Sequence, residues 1–298
     1  MLIREKFKNK NPLISFEIFP PKKNYPVETI YNTIDALNDM NPDFISVTYG
    51  AGGSTKDTTV DIASFIKNKY DLSALAHLTC LTSTKDEIED TLDSLKEKGV
   101  RNILALRGDY PEGAGPDYSG PNHYRYAKDL ITHIKKRDDF CVGAACYPEK
   151  HLECDSLDKD LSHLKQKVDA GVDFLITQLF FDNETFYRFK EKTDKLGIDV
   201  PIIAGILPVL GKNQVEKILS LTGCTLPEKF LRILEKYEHN PDALREAGIA
   251  YATDQIIDLL SWGIDGIHVY TMNRPKTTRR ILESIKTIRG VLTNEEAS

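Results

Sequence analysis

Glu17 is the one charge within residues 13–19, LISFEIF, an apolar run that Pro20 and Pro21 end. A run of that length, rich in β-branched and aromatic residues, reads as a buried strand, and two prolines cannot continue its ladder. Alternation places Ser15, Glu17 and Phe19 on one face, and Ile14, Phe16 and Ile18 on the other. An ionised carboxylate in such surroundings is costly without a partner, so desolvation favours its protonated form. Glu17 therefore reads as a proton donor near neutral pH, or else as a strand-end carboxylate that reaches water. Other residues fitted for chemistry sit at the ends of later apolar runs: Thr48 and Tyr49, His77, Arg107 and Asp109, Tyr147, Gln178 and Thr271.

Those ends must be brought together by the elements that carry them. Eight apolar runs read as strands at residues 13–19, 44–49, 74–79, 101–107, 140–147, 173–181, 201–207 and 266–271. Between them, residues 27–40, 57–69, 85–98, 123–136, 157–170 and 184–196 carry helical periodicity. A longer helical stretch over 213–262 is broken near 222–227 and 240–241, and Pro275 opens a last helix. Strand and helix periods that alternate eight times predict an α/β fold, a (β/α)8 TIM barrel, rather than an open doubly wound sheet. The extra helices between strands seven and eight are packing elements or part of a substrate wall. A single catalytic barrel domain over residues 1–298 is expected, because such barrels take this length as one domain. Active sites of these barrels lie at the C-terminal strand ends, so nearly every strand delivers a polar group to one rim.

Composition narrows the function classes. The net charge is −6, with 39 basic and 45 acidic residues interleaved, which argues against a phosphate-backbone partner. Nucleic acid is set aside. The N-terminus has charges but no apolar segment of a secretory signal after them, and no run approaches the length of a membrane span, so a cytoplasmic protein away from membranes is expected. Five cysteines with no CxxC pair suit reduced, buried thiols better than disulfides or zinc, and no metal is expected. Residues 50–55, GAGGST, put Thr55 where a dinucleotide fingerprint needs its third glycine, which disfavours a Rossmann site. Arg107-Gly108-Asp109 spells an adhesion tripeptide but follows a buried strand, and reads as an active-site loop.

Each rim residue has a plainer reading on its own. His77 fits a hydrogen-bonded core histidine, Arg107 with Asp109 a surface ion pair of little worth, and Tyr147 and Gln178 partners for buried backbone groups. Their convergence on one rim is what favours a site.

The segments SFEIFPP, FISVTYGAGGST, HLTC, LALRGD, YPEKH, ITQLFFD and AGILPV, in that order, resemble the methylenetetrahydrofolate reductase family, and HVYTMNR extends the match to Arg274. The resemblance covers nearly the whole catalytic domain in its compact bacterial form. It implies FAD at the C-terminal rim, NADH or NADPH as co-substrate, reduction of 5,10-methylenetetrahydrofolate to 5-methyltetrahydrofolate, and ping-pong kinetics with one pocket face serving both substrates. Matched to the family's motifs, Glu17 is the catalytic acid that opens the folate's five-membered ring to an iminium. Asp109 is a carboxylate beside flavin and pterin whose charge favours hydride donation. Contacts to FAD fall on Tyr49, Ala51, His77, Arg107, Gly108, Asp109, Tyr126, Ala127, Tyr147, His151, Asp160 and Lys167. Thr48 falls on the nicotinamide, and Gln178, Gln214 and Arg274 on the folate. A homo-oligomer is the expected assembly.

Two departures bear on this. Ile218 stands where some bacterial members place a Phe that stacks on the bound molecule, and the loop Leu210-Gly211-Lys212 also differs. They motivate a second reading, a flavin- and folate-binding subunit that takes electrons from a partner protein. Residues 112–121 form a longer Gly/Pro-rich loop, a lid or, as favoured here, a solvated connection.

Overall fold

The computed structural model describes residues 1–294 except 10, 22–25, 50–55, 112, 116, 117, 119–121 and 138. The expected loop at 50–55, with Ala51, and much of the 112–121 loop therefore lie outside the described residues.

Eight parallel strands close into a barrel, each paired with the next and the last with the first. They are β1 (Leu13–Ile18), β2 (Phe44–Val47), β3 (Ser73–Thr79), β4 (Asn102–Leu106), β5 (Cys141–Cys146), β6 (Phe174–Thr177), β7 (Ile202–Ile206) and β8 (Gly266–Tyr270). The helices are α1 (Ile3–Lys6), α2 (Glu28–Asn38), α3 (Lys56–Tyr70), α4 (Lys85–Glu97), α5 (Ala127–Lys135), α6 (Leu157–Asp169), α7 (Asn183–Lys195), α8 (Lys212–Thr222), α9 (Glu228–Tyr237), α10 (Pro241–Trp262), α11 (Pro275–Ser284) and α12 (Lys286–Asn294). The TIM barrel expected from the alternating periods is the fold.

Two-sided burial explains why the strands read as apolar runs, since a parallel barrel is packed inside and out. Ile14, Phe16 and Ile18 of β1 join the large cluster between sheet and helices. Leu13, Phe44, Leu75, Leu104, Cys141, Phe174 and Ile203 form a separate cluster, which Ile3 completes. Ile3 lies on α1, whose backbone is held by Ile3 N donating to Asn102 Oδ1 at 2.8 Å. The charged look of the first eleven residues concealed this helix, because a single turn is too short to show a period. Helix α5 starts at Ala127, not at 123, because His123 is taken by a β-bridge to Thr84.

Helices α8, α9 and α10 are packing elements on the barrel. Phe230 of α9 stacks on Phe181 at 5.1 Å and lies 4.6 Å from Tyr251 of α10. Leu207, Val209, Val215 and Ile218 share that apolar cluster beyond the ends of β6 and β7. Helix α10 runs against the segment after β7 so closely that a Cβ built on Gly248 would lie 1.7 Å from the Val209 carbonyl oxygen. Among the described residues no helix is long and apolar enough to cross a membrane.

Gly248→Ala must push α10 off Val209, and an overpacked contact of this kind costs about 3 kcal/mol. Thermal or urea unfolding checks it; a midpoint equal to that of the wild type would refute the close approach.

Candidate active site

Glu17 enters the barrel beside a buried polar cluster supplied by four strands. His268 of β8 is fully buried, with Nδ1 2.7 Å from Ser15 Oγ and Nε2 3.3 Å from Ser46 Oγ. Glu17 Oε2 lies 3.6 Å from Nε2 of both His268 and His77. These separations are ion-pair distances, too long for hydrogen bonds. His77 is 7% exposed, and its Nε2 has no hydrogen-bond partner among the described residues. Burial lowers the His77 pKa to about 4, with the Glu17 carboxylate opposing the shift and His268 reinforcing it. His77 is therefore neutral at pH 7. The backbone at Glu17 is anchored to β8, since Thr271 Oγ1 donates to the Glu17 carbonyl at 2.6 Å. Tyr270 Oη donates to Thr177 O at 2.7 Å, and burial first, then the Glu17 charge, pushes its phenol well above the usual range.

Thr48 follows β2 directly, its N–H donating to Ile18 O at 3.0 Å. Tyr49 Oη stands 3.5 Å from Ser83 Oγ, and burial raises its pKa.

A cavity of about 450 Å³ opens beside the ends of β4 and β5, and Arg107, Tyr126, Ala127, Tyr147, His151, Asp160 and Lys167 all line it. That size is within the range of small-molecule sites. Lys167 of α6 donates to Ala145 O at 2.5 Å, and desolvation lowers its pKa. The rings of Tyr147 and His151 meet edge to face at 4.8 Å. Burial raises the Tyr147 pKa, the Asp160 carboxylate adding most to it and Asp109 contributing. Asp160 Oδ2 accepts from His151 N at 3.1 Å. Arg107 is engaged in a two-pronged pair with Glu153, at 2.6 and 2.8 Å. Gly108 has φ +85°, and a Cβ there would lie 2.9 Å from Thr79 Cβ, so the turn that aims Arg107 needs glycine. Asp109 is exposed just beyond it.

The folate-side residues lie at three separate places, after β6, in the first turn of α8 and at the start of α11. Gln178 N donates to Cys146 O at 2.7 Å, and its Oε1 accepts from Leu179 N at 2.9 Å. Gln214 Oε1 accepts from Leu210 N at 2.8 Å. Arg274 is exposed at the start of α11. Ile218 is buried in the apolar cluster around Phe181 and Phe230. Sequence reasoning missed His268, Ser46 and Glu153. Alternation along β8, which sets His268 beside Gly266 and Tyr270 on one face, was the available signal for the first; nothing local marks Glu153 as the partner of Arg107.

Polar groups gathered at one rim of a (β/α)8 barrel, with an apolar lower core, define an enzyme of the α/β barrel class. A family profile for methylenetetrahydrofolate reductase matches residues 2–286, and the chain belongs to that family, whose members are oxidoreductases. The 5,10-methylenetetrahydrofolate reductase of Escherichia coli (strain K12) is 38% identical over 272 residues, covering 91% of this chain and 90% of that protein. That of Pectobacterium carotovorum is 37% identical over 273 residues, covering 91% and 89%. Methylenetetrahydrofolate reductase (NADH) 1 of Arabidopsis thaliana is 36% identical, covering 91% of this chain and 48% of that protein. Among solved structures, an uncharacterized Clostridium thermocellum protein described with two copies of 5-methyl-5,6,7,8-tetrahydrofolic acid shares the fold. Its TM-score is 0.69 at 17% identity, over 98% of this chain and 100% of that one.

His77 carries a pH signature. With its folded pKa at about 4 against an ordinary 6.5, the unfolded chain binds more protons between those values. The stability that neutral His77 contributes is complete above pH 6.5 and is lost as pH falls towards 4, the loss reaching about 3 kcal/mol at the acid end. His77→Gln should flatten the dependence of the unfolding midpoint on pH across that window; an unchanged slope would place the titration elsewhere.

Proposed function

We propose that the chain reduces 5,10-methylenetetrahydrofolate to 5-methyltetrahydrofolate, with FAD as cofactor and NADH or NADPH as donor in ping-pong order. The observation that carries the residue-level reading is one carboxylate, Glu17, flanked by two buried histidines on the same rim as a cavity lined by Arg107 and Lys167. The cavity suits FAD: it presents two cationic side chains to an anion, an aromatic wall at Tyr147, and a volume of about 450 Å³. Bound there, FAD supplies the hydride chemistry, accepting from the nicotinamide donor and delivering to the folate carbon. The donor named for the Arabidopsis relative, NADH, favours a nicotinamide over a protein electron donor.

The chain's own residues have separate tasks in this reading. Arg107 and Lys167 hold the pyrophosphate oxygens, Tyr147, Tyr126, Ala127 and His151 shape the wall, and Tyr49 and Gly108, which do not line the cavity, meet the cofactor from beside it. His77 contributes a neutral imidazole, Asp160 a hydrogen-bond acceptor, and Asp109 a negative charge near the reacting rings. Ala51, expected by resemblance to touch the cofactor, keeps that role as a proposal. Thr48 faces the nicotinamide, while Gln178, Gln214 and Arg274 hold the folate. Glu17 gives its proton to the folate nitrogen, the carbon–nitrogen bond of the five-membered ring breaks, and the resulting iminium carbon accepts the hydride. The His77 and His268 imidazoles flank the Glu17 carboxyl at 3.6 Å as that proton leaves.

Two measurements test this. The purified protein should show the visible bands of an oxidised flavin that bleach on anaerobic addition of NADH or NADPH. Glu17→Gln should keep both properties yet lose folate reduction by at least about 100-fold; retained turnover would remove Glu17 from the role. Glu153 competes with the pyrophosphate for Arg107, and an exposed pair of this kind is worth about 1 kcal/mol. Glu153→Gln should therefore tighten FAD binding by about fivefold in a fluorescence titration, whereas weaker binding would make Glu153 part of the site.

A further inference from the structure

We propose that Cys154, Asp160 and His163 form a zinc site at the edge of the cavity. Their Sγ, carboxylate oxygen and imidazole nitrogen all lie within 4.8 Å of one another, the one such trio found among the described residues. Zinc takes sulfur and nitrogen ligands at about 2.0 to 2.3 Å in tetrahedral geometry, which sets ligand atoms about 3.5 Å apart. The three ligand atoms therefore have at most about 1.3 Å to close. Asp160 and His163 are three residues apart on α6 and so share a face. Cys154 sits in the turn that leads into the helix, its N–H donating to His151 O at 2.9 Å and its carbonyl accepting from Lys150 Nζ at 2.7 Å. One Asp160 oxygen is oriented by the His151 N–H, which leaves the other for a metal.

Donor chemistry chooses the ion. A thiol, an imidazole and one carboxylate suit zinc and exclude the oxygen-seeking magnesium and calcium. When the Cys154 thiol gives up its proton, thiolate and carboxylate together balance the two charges of zinc, and a fourth position stays open to water. Spacing hid this trio: with one Cys, an Asp six residues on and a His three beyond, it lacks the paired cysteines by which zinc sites are recognised in sequence.

Occupation has a consequence that rests on the flavin reading above. Asp160 also lines the cavity, so zinc and FAD exclude one another, and free zinc acts as an inhibitor of cofactor loading.

The full chain, dialysed free of metal, should bind one zinc per chain in competition with a chromogenic chelator, and cobalt(II) in its place should give a thiolate-to-metal absorption band. Cys154→Ser and His163→Asn should each weaken zinc by at least about 100-fold, and Cys154→Ser should remove the band. Zinc affinity that both variants retain, or cobalt without the band, overturns the site. Zinc added to the FAD-loaded protein should release flavin, read as a rise in its fluorescence, and Cys154→Ser should prevent the release; flavin that stays bound while zinc occupies Cys154 overturns the exclusion. A chain that binds zinc through Cys154 but has no affinity for FAD overturns the flavin reading and upholds the metal site.

Discussion

The pairing of β1 with β8 is the constraint on which the rest depends. It joins residues some 250 positions apart, Leu13 opposite Gly266 through Glu17 opposite Tyr270, and it closes the ring. Closure sets Glu17 between His77 and His268, residues that no local sequence relation connects. Register is fixed by what each face must bury. A slip of one residue in β8 would turn His268 into the aliphatic layer under the helices and bring Val269 inside, leaving Ser15 and Ser46 without their imidazole. The polar interior thus specifies the closure that also positions the carboxylate.

That interior is costly to build. Buried polar groups must be matched, and here the serines of β1 and β2 satisfy both nitrogens of His268, while the His77 Nε2 is left open towards Glu17. One unsatisfied buried nitrogen in an otherwise matched cluster is a local conflict of the kind that concentrates at functional sites.

Much of the fold was legible because buried parallel strands have few alternatives. All eight apolar runs became strands, with ends that shifted by a few residues where polar neighbours left the ladder. The β6 run shortened most, from 173–181 to Phe174–Thr177, since Leu179, Phe180 and Phe181 pack with helices beyond the barrel rather than within it. Gathering of Arg107, Tyr147, His151, Asp160 and Lys167 around one cavity was also foreseeable, because the resemblance named them and the barrel rule put their strands side by side. Other features depended on tertiary contacts. Helix α1 exists because Ile3 completes a core made by seven other elements, α5 begins late because His123 pairs with Thr84 in a β-bridge, and Glu153 matters only because a turn brings it to Arg107. None of these leaves a periodic trace in the chain.

Helix α6 shows how one element serves several chemical demands at once. Leu161 and Leu164 are buried against the sheet, and this fixes the helix rotation. Asp160, His163 and Lys167 recur at spacings of three and four, so that rotation presents all three to the cavity. Lys167 reaches inward and donates to the end of β5, and its lost hydration lowers its pKa. Asp160 and His163 stand towards the helix start, beside the turn that carries Cys154. An anionic ligand therefore gains from the inner end of this face and a cation from the outer end, with Asp160 between them. Asp160 can serve only one of them at a time, and the apolar stripe of Leu161 and Leu164, about 100° round the helix from that face, holds its rotation.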